Sequence, residues 1–347
     1  MQSRTGFPVF GIPGSCLFCL SVEINVPGDR PGQEYVEVIV MDRRSFIRTG
    51  AITVGALSLA RDVSLFGSTD AKMSVIKYSS SPTDAAGIAK EAEVLTRTAV
   101  EALGGMGRFV SKGESVCVKP NIAWNRTPEM AATTNPDAVA EVVRMCLDAG
   151  ASKVVVLDNT CHKAEQCYPK SGIQAAAEAA GAEVILPSRR SFRNTRLTGA
   201  EVIKEWELFI DILEADRLIN MPIAKHHGLS KLTLSMKNLM GCCGGNRNRF
   251  HQNLDGVLPD LAQFFKPDLV IMDAIRTMTA NGPIGGNLAD VVRKDTIIAG
   301  VDQVAIDAFG ASLFGLEPAE ISGVTEGQKR GLGTSDYSSL NPVIQTV

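Results

Sequence analysis

Aromatic residues are scarce in this chain. Phe, Tyr and Trp together make up 5% of it, with two tryptophans and four tyrosines. Single-stranded nucleic acid is held on stacked aromatic side chains, so the scarcity argues against such a platform. A surplus of one charge sign is also missing: 35 Lys+Arg stand against 38 Asp+Glu, a formal charge of −3. A general nucleic-acid binder needs a basic surplus. The one basic run, Arg189 to Arg196, reads as a solvated loop. Histidine is rarer still, with four in 347 residues.

Familiar catalytic and phosphate-binding signatures are absent too. No G-x-G-x-x-G follows a strand, and no phosphate-binding P-loop spacing occurs. There is no G-x-S-x-G nucleophile elbow and no H-E-x-x-H helix. Of the eight cysteines, no four have iron–sulfur spacing. Cys117 and Cys146 sit in apolar periodic segments and read as core. Cys161 and Cys167 flank His162; in an oxidising compartment they can bridge, and equally can stay free.

The N-terminal part reads as a processing segment. Met41-Asp-Arg-Arg-Ser-Phe-Ile-Arg48 precedes an uncharged run from Thr49 to Ala60, a basic n-region and a short h-region. Arg43 and Arg44, followed by Ser45, Phe46 and Ile47, resemble the twin-arginine export signal. That resemblance implies the twin-arginine export machinery as a partner and a periplasmic or extracytoplasmic location. The protein stays membrane-anchored if the signal is not cleaved. Such a signal belongs at an extreme N-terminus, so residues 1–40, rich in Gly and Pro, read as an over-extended, disordered start. The expected organisation is 1–40, then a signal segment 41–71, then one domain over 72–347.

From Met73 onward, short apolar runs alternate with helical stretches. The pattern predicts helices over 85–103, 135–150, 171–180, 254–265 and 301–314. It predicts strands over 115–118, 153–157, 183–186, 218–223, 269–272 and 296–299. Such alternation implies an α/β fold: a mostly parallel sheet with helices on both faces, in one or two lobes. Asn135-Pro136 reads as a cap and first-turn proline, and Asp302 as an N-cap.

The densest chemistry lies in Leu218 to His251, which holds three of the four histidines together with Lys225, Lys237 and the pair Cys242-Cys243. An apolar run ending at Ile223 leads into it as a buried strand leads into a site loop. Ser230 is placed to cap a short helix with Leu232, Met236, Leu239 and Met240 on one face and Thr233 and Lys237 on another. Ligands of open α/β sheets collect beyond the carboxyl ends of strands. Lys119 and Asn121, Asp158 and Thr160, Lys225 to His227, and Asp273 all follow predicted strands, so they converge on one edge if those strands are parallel. The Asn281–Gly286 turn, with Gly282, adds backbone N–H groups able to meet an anion.

Several segments together resemble the uncharacterised domain-of-unknown-function family 362. They are Val118-Lys-Pro-Asn121, Thr134-Asn-Pro136, Leu218-Ile-Asn220 with Lys225-x-His227, and Thr233-x-x-x-Lys-Asn238 with Gly241. Lys266 to Asp273, Gly282-Pro283 and Val304-Ala-Ile-Asp307 complete the match, over roughly 75–335. Some members carry an appended ferredoxin-like segment, which this chain lacks. The order His227, Lys237, His251 is similar to the histidine–lysine–histidine order of nickel-pincer lactate racemases. That resemblance implies Lys237 as a cofactor tether, His227 as a proton-transfer base and His251 as a ligand or second base. Ser-Met-Lys-Asn238 departs from the racemases' glycine-rich approach.

These readings define the expectations. The chain is an exported enzyme of redox or isomerase type, dependent on a metal or a tethered cofactor. The alternatives are a non-catalytic extracytoplasmic ligand-binding or cofactor-delivery protein and a racemase-like enzyme. Catalysis falls to His227, Lys237 and His251. Ligand binding falls to Lys119, Asn121, Asp158, Thr160, Lys225, Thr233, Asn238, Asp273 and Gly282. A metal set of His226, His227 and His251 suits imidazole-loving ions, and the ligand is a small molecule or anion.

Overall fold

The computed structural model describes residues 71–347 and, before them, the strands β1 (Leu20–Pro27) and β2 (Glu34–Met41). The chain divides into two units, residues 1–65 and 66–347. In the first, β1 and β2 pair antiparallel, with Val22 opposite Ile39 and Val26 opposite Tyr35. Leu20, Val22, Ile24 and Val26 alternate with their neighbours at a period of two, the strand signal. Arg43 and Arg44 lie outside the described residues.

The second unit is built on an eight-stranded sheet. Its strands are β3 (Met73–Lys77), β4 (Ser115–Pro120), β5 (Lys153–Leu157), β6 (Glu183–Ile185), β9 (Arg217–Met221), β12 (Leu269–Met278), β13 (Val291–Gly300) and β14 (Val343–Thr346). Two small antiparallel pairs stand apart: β7 (Phe192–Arg196) with β8 (Glu205–Phe209), and β10 (Lys225–His227) with β11 (Lys231–Thr233). The sheet order is β14-β3-β13-β12-β9-β4-β5-β6. Strands β12, β9, β4, β5 and β6 pair in parallel, as do β14 and β3. Strand β13 runs against both its neighbours.

Among the described residues the helices are α1 (Ala85–Glu101), α2 (Pro136–Asp148), α3 (Ala164–Lys170), α4 (Ile173–Ala179), α5 (Ile210–Glu214), α6 (Ser235–Asn238), α7 (Leu254–Phe265), α8 (Gln303–Ser312) and α9 (Ser322–Lys329). None is long and apolar enough to cross a membrane. Side chains alternate across a strand, which separates two cores. Val116, Val118, Ile219 and Ile271 pack with Leu95, Ala99, Val139 and Val142 of α1 and α2. Cys117, Leu218, Val270 and Met272 pack with Met236, Leu258, Leu261 and Val304 of α6, α7 and α8. Each such Val, Leu, Ile or Met side chain contributes about 1.5–3 kcal/mol when fully buried. Covering both faces is why the strands read as near-continuous apolar runs.

The α/β class, the mostly parallel sheet and its helices on both faces match the sequence reading. Asn135 accepts from the N–H groups of Asp137 and Ala138, and Asp302 from that of Ala305, as their cap positions predict. Other details differ. Strand β12 does not stop at Met272 but continues to Met278, pairing with the long antiparallel β13. The irregular stretch 188–212 holds β7, β8 and the start of α5. Ser230 caps no helix, since β11 intervenes. The N–H groups of Ser235 and Met236 that open α6 are met instead by the buried carboxylate of Asp307, at 2.7 and 3.1 Å. Cys161 and Cys167 are free, one exposed and one buried.

Candidate functional site

The connections leaving β4 and β9 part in opposite directions, one toward β5 and the other toward β12. A crevice opens at such a divergence, outside the carboxyl ends of the strands. Here it is a cavity of 580 Å³. Lys119, Asn121, Asp158, Thr160, Lys225, His227, Thr233, Lys237, Asn238, His251 and Gly282 all line it. Most of the residues expected to gather from the strand ends thus line one cavity.

The three lysines in the cavity are bound very differently. Lys119 Nζ lies 2.8 Å from Asp158 Oδ1, both side chains being almost fully buried. It also donates to the carbonyl of Pro120 and to Asn238 Oδ1. Asp158 Oδ2 accepts from the N–H of Ile122 at 2.6 Å. Gly241 packs directly against this ion pair; a Cβ there would sit 1.9 Å from Asp158 Oδ1 and 2.6 Å from Lys119 Nζ. Lys225 Nζ donates to the carbonyl of Ala132 and to Asn121 Oδ1. Lys237 has a single polar contact among the described residues, from its Nζ to Met240 Sδ at 3.5 Å.

Asn238 holds this group together. Its Oδ1 accepts from Lys119 Nζ and Asn121 Nδ2, each at 3.0 Å. Its Nδ2 donates to Asn220 Oδ1 and to the Lys119 carbonyl. Those four bonds use every site a carboxamide offers, so Asn238 positions Lys119 and Asn121 and has no bond left for a ligand.

Burial pushes the amines toward their neutral forms, because an ammonium leaves water at high cost. Lys225 falls from an ordinary 10.5 to about 7. Lys237 falls to about 8, with the nearby charge of Arg247 adding to the effect of burial. Among the described residues neither has a carboxylate partner, and neither does Arg247. The Arg247 guanidinium donates to the carbonyls of Asn159, Thr160 and Met240 at the cavity wall. Arg247 was not among the residues expected from sequence. Its one signal is its place after the Gly244-Gly245 turn, four residues before His251.

His227 and His251 stack at 5.9 Å between ring centroids, 14° from parallel. His227 Nδ1 accepts from the N–H groups of Leu229 and Ser230 at 3.1 and 3.3 Å. Burial, followed by the charge of Lys237, holds its pKa near 3. The ring is therefore neutral with its proton on Nε2. In this state His227 offers a hydrogen-bond donor, since its Nδ1 lone pair is engaged by the backbone N–H groups. His251 is less buried, and its pKa is lowered by burial and by Lys237, while a hydrogen bond with the Asn248 backbone opposes the shift. A neutral imidazole keeps one ring lone pair, which suits a base.

Two expectations change. His226 and His227 are successive residues of β10, so their side chains leave opposite faces. His226 Nδ1 accepts from the Gly282 N–H at 3.0 Å, and the residue does not line this cavity but a second one, which His227 also borders, with Lys231 and Lys294. The metal set of His226, His227 and His251 is therefore not assembled. Among the described residues no three His, Cys, Asp or Glu side chains are grouped to hold an ion. Asp273 is also not at the cavity. Because β12 runs on past it, its carboxylate turns to the N–H groups of Asn135 and Ile275, at 2.8 and 3.0 Å. It anchors the start of α2.

Comparison with known proteins follows the same region. The model of the family described as "Domain of unknown function (DUF362)" matches residues 116–312. A thylakoid-associated protein of Synechocystis sp. (strain ATCC 27184 / PCC 6803 / Kazusa) is 28% identical over 249 residues, covering 68% of this chain and 74% of that protein. Among solved structures, the lactate racemase apoprotein from Thermoanaerobacterium thermosaccharolyticum is similar at a TM-score of 0.38 and 11% identity. That match covers 84% of this chain and spans 62% of the racemase chain.

Proposed function

The chain belongs to the DUF362 family, and on that premise we propose that it is an enzyme of isomerase or redox type acting on an anionic small molecule. The observation that carries this reading is the charge imbalance of the cavity. Lys225, Lys237 and Arg247 face it without a carboxylate among the described residues, while Asp158 is committed to Lys119. A buried cation without a partner is costly, and an anionic ligand offsets that cost when it binds. Lys225 and Arg247 take the anion. His227 donates to an adjacent oxygen, and His251 moves a proton. Export through Arg43-Arg44, delivering the folded protein to the periplasm, is part of this proposal.

The test is a panel of small carboxylates and phosphates. Melting shifts and calorimetry measure binding to the wild type and to Lys225→Met, and solvent-deuterium incorporation into each ligand measures proton transfer. We expect binding that Lys225→Met weakens at least tenfold, and exchange that His251→Gln abolishes. Binding without exchange supports the alternative of a non-catalytic ligand-binding or cofactor-delivery protein. No binding by any anion overturns both readings.

One observation favours a second reading, a racemase-like enzyme with a covalently tethered cofactor. Lys237 shares the cavity with His227 and His251, and its amine makes no bond to oxygen among the described residues. Its test is the intact mass of protein isolated from its native source beside Lys237→Ala. Added mass present in the first and lost in the second supports a tether.

A further inference from the structure

We infer that Lys237 is a nucleophilic amine that forms an imine with the carbonyl of a small 2-oxo acid, whose carboxylate is held by Lys225 and Arg247. The inference rests on the anion-binding reading of the cavity and names the substrate class for it.

The choice among the lysines follows from their bonds. Lys119 is locked by Asp158, Asn238 and the Pro120 carbonyl. Lys225 is held by Asn121 and the Ala132 carbonyl, which leaves one N–H for an anion. Lys237 is 8% exposed and lines the same cavity, and among the described residues its nitrogen has one polar partner, a thioether. Nucleophilic attack needs the neutral amine, and a desolvated lysine beside other cations supplies it near neutral pH. The lowering of Lys237 to about 8 agrees with that requirement. Its carrier helix α6 is anchored at Ser235 and Met236 by Asp307, so the nitrogen is presented from a fixed turn.

The surroundings select the partner. A 2-oxo acid places its carbonyl directly beside its carboxylate, so cations that hold the carboxylate bring the carbonyl carbon to the amine. The nitrogen lone pair forms the C–N bond while the carbonyl π pair moves to oxygen. The proton shed by nitrogen goes to that oxygen and gives a carbinolamine. One further proton, drawn from solvent through His251, lets water leave and an iminium remain. His227 Nε2–H hydrogen-bonds the oxygen throughout. Hydrolysis reverses each step, so no oxidant or reductant is consumed. The iminium is an electron sink for a carbanion on the adjacent carbon, which gives His251 a proton to remove.

The experiment incubates the full protein with glyoxylate, pyruvate or 2-oxoglutarate, adds sodium borohydride, and reads intact mass and the modified peptide. Lactate, which has no carbonyl, serves as the binding control in a thermal-shift assay. The expected result is one reduced adduct on Lys237 with at least one oxo acid, absent from Lys237→Arg and reduced at least tenfold in Lys225→Met. An adduct that survives Lys237→Arg, or one only on exposed lysines, overturns the inference. If lactate and the oxo acids raise the melting temperature but no adduct forms, the imine fails and the anion site stands. If no acid binds and no adduct forms, both fail. Because trapping is read on the wild type, a misfolded variant cannot mask the answer.

Discussion

The two ends of the central sheet treat charge in opposite ways. At the amino end Arg217, which opens β9, meets Glu114 with Nε and Nη2, each at 2.8 Å, and Asp268 with Nη1 at 2.9 Å. Asp216 beside it accepts from the N–H and hydroxyl of Ser115. The bonds to Glu114, then those to Asp268, hold the Arg217 pKa above its ordinary value, and Glu114 is lowered chiefly by Arg217. At the carboxyl end Lys119 has Asp158, but Lys225, Lys237 and Arg247 have no carboxylate among the described residues. There the amines are pushed toward neutrality rather than held charged. Paired charge at one end links neighbouring strands. Unbalanced charge at the other, in a cavity, is an arrangement that a ligand completes.

Removing the one balanced cation at the carboxyl end carries the largest expected effect. Lys119→Met leaves the Asp158 carboxylate buried and unpaired, which costs about 3–5 kcal/mol. Urea denaturation should show that loss as a lower midpoint with an unchanged slope. A midpoint shift no larger than that of Lys225→Met would erase the distinction between the paired and unpaired lysines.

The next effect sharpens the contrast through pH. Below about pH 7 Lys225 carries its proton folded or unfolded, and the penalty of the buried charge is fully present. Between about 7 and the ordinary 10.5 only the unfolded chain keeps the proton, so the ligand-free protein gains stability as pH rises. The same holds for Lys237 from about 8 upward. Buried thiols and Tyr168, whose pKa values are raised, act in the opposite sense at alkaline pH. The lysine contribution is therefore read as wild type minus Lys225→Met, and this difference should rise between pH 7 and pH 10. Anion binding should weaken over the same range and be accompanied by proton uptake, visible as a dependence on buffer ionisation enthalpy. A difference that stays flat would mean that Lys225 is not a strained charge.

The smallest effect belongs to the amino end. Arg217→Ala breaks half-exposed ion pairs that water partly screens, so each contributes at most about 1 kcal/mol. Its melting temperature should fall only slightly, with anion affinity unchanged. A loss of affinity there would show that the two ends are coupled.

Much of this architecture was legible. The β-branched run Lys153–Leu157 and the cap Asn135-Pro136 report local preferences that burial reinforced. Lys119, Asp158 and Lys225 were traced to one edge because parallel strands bring their carboxyl ends together. Less legible were features that depend on partners far along the chain. Asp273 follows an apolar run like any strand-end residue, yet β12 continues because β13 pairs with it from Val291 onward. Ser230 has the right spacing for a cap, but Asp307, 72 residues after Ser235, performs that task. Arg247 points to no chemistry until Asn159 and Thr160 supply the carbonyls that hold it.

By itself the sequence determined the α/β class, the alternation of covered strands and helices, and the edge where the polar residues gather. Periodicity and strand-end position are local properties, written in neighbouring residues. Only the tertiary structure decided which lysine is paired and which is free, which histidine nitrogen keeps its lone pair, and that His226 faces away from His227. Those distinctions depend on which distant atom supplies or withholds a hydrogen bond in a place that water has left. There the cost of an unmet charge is large enough to set its protonation.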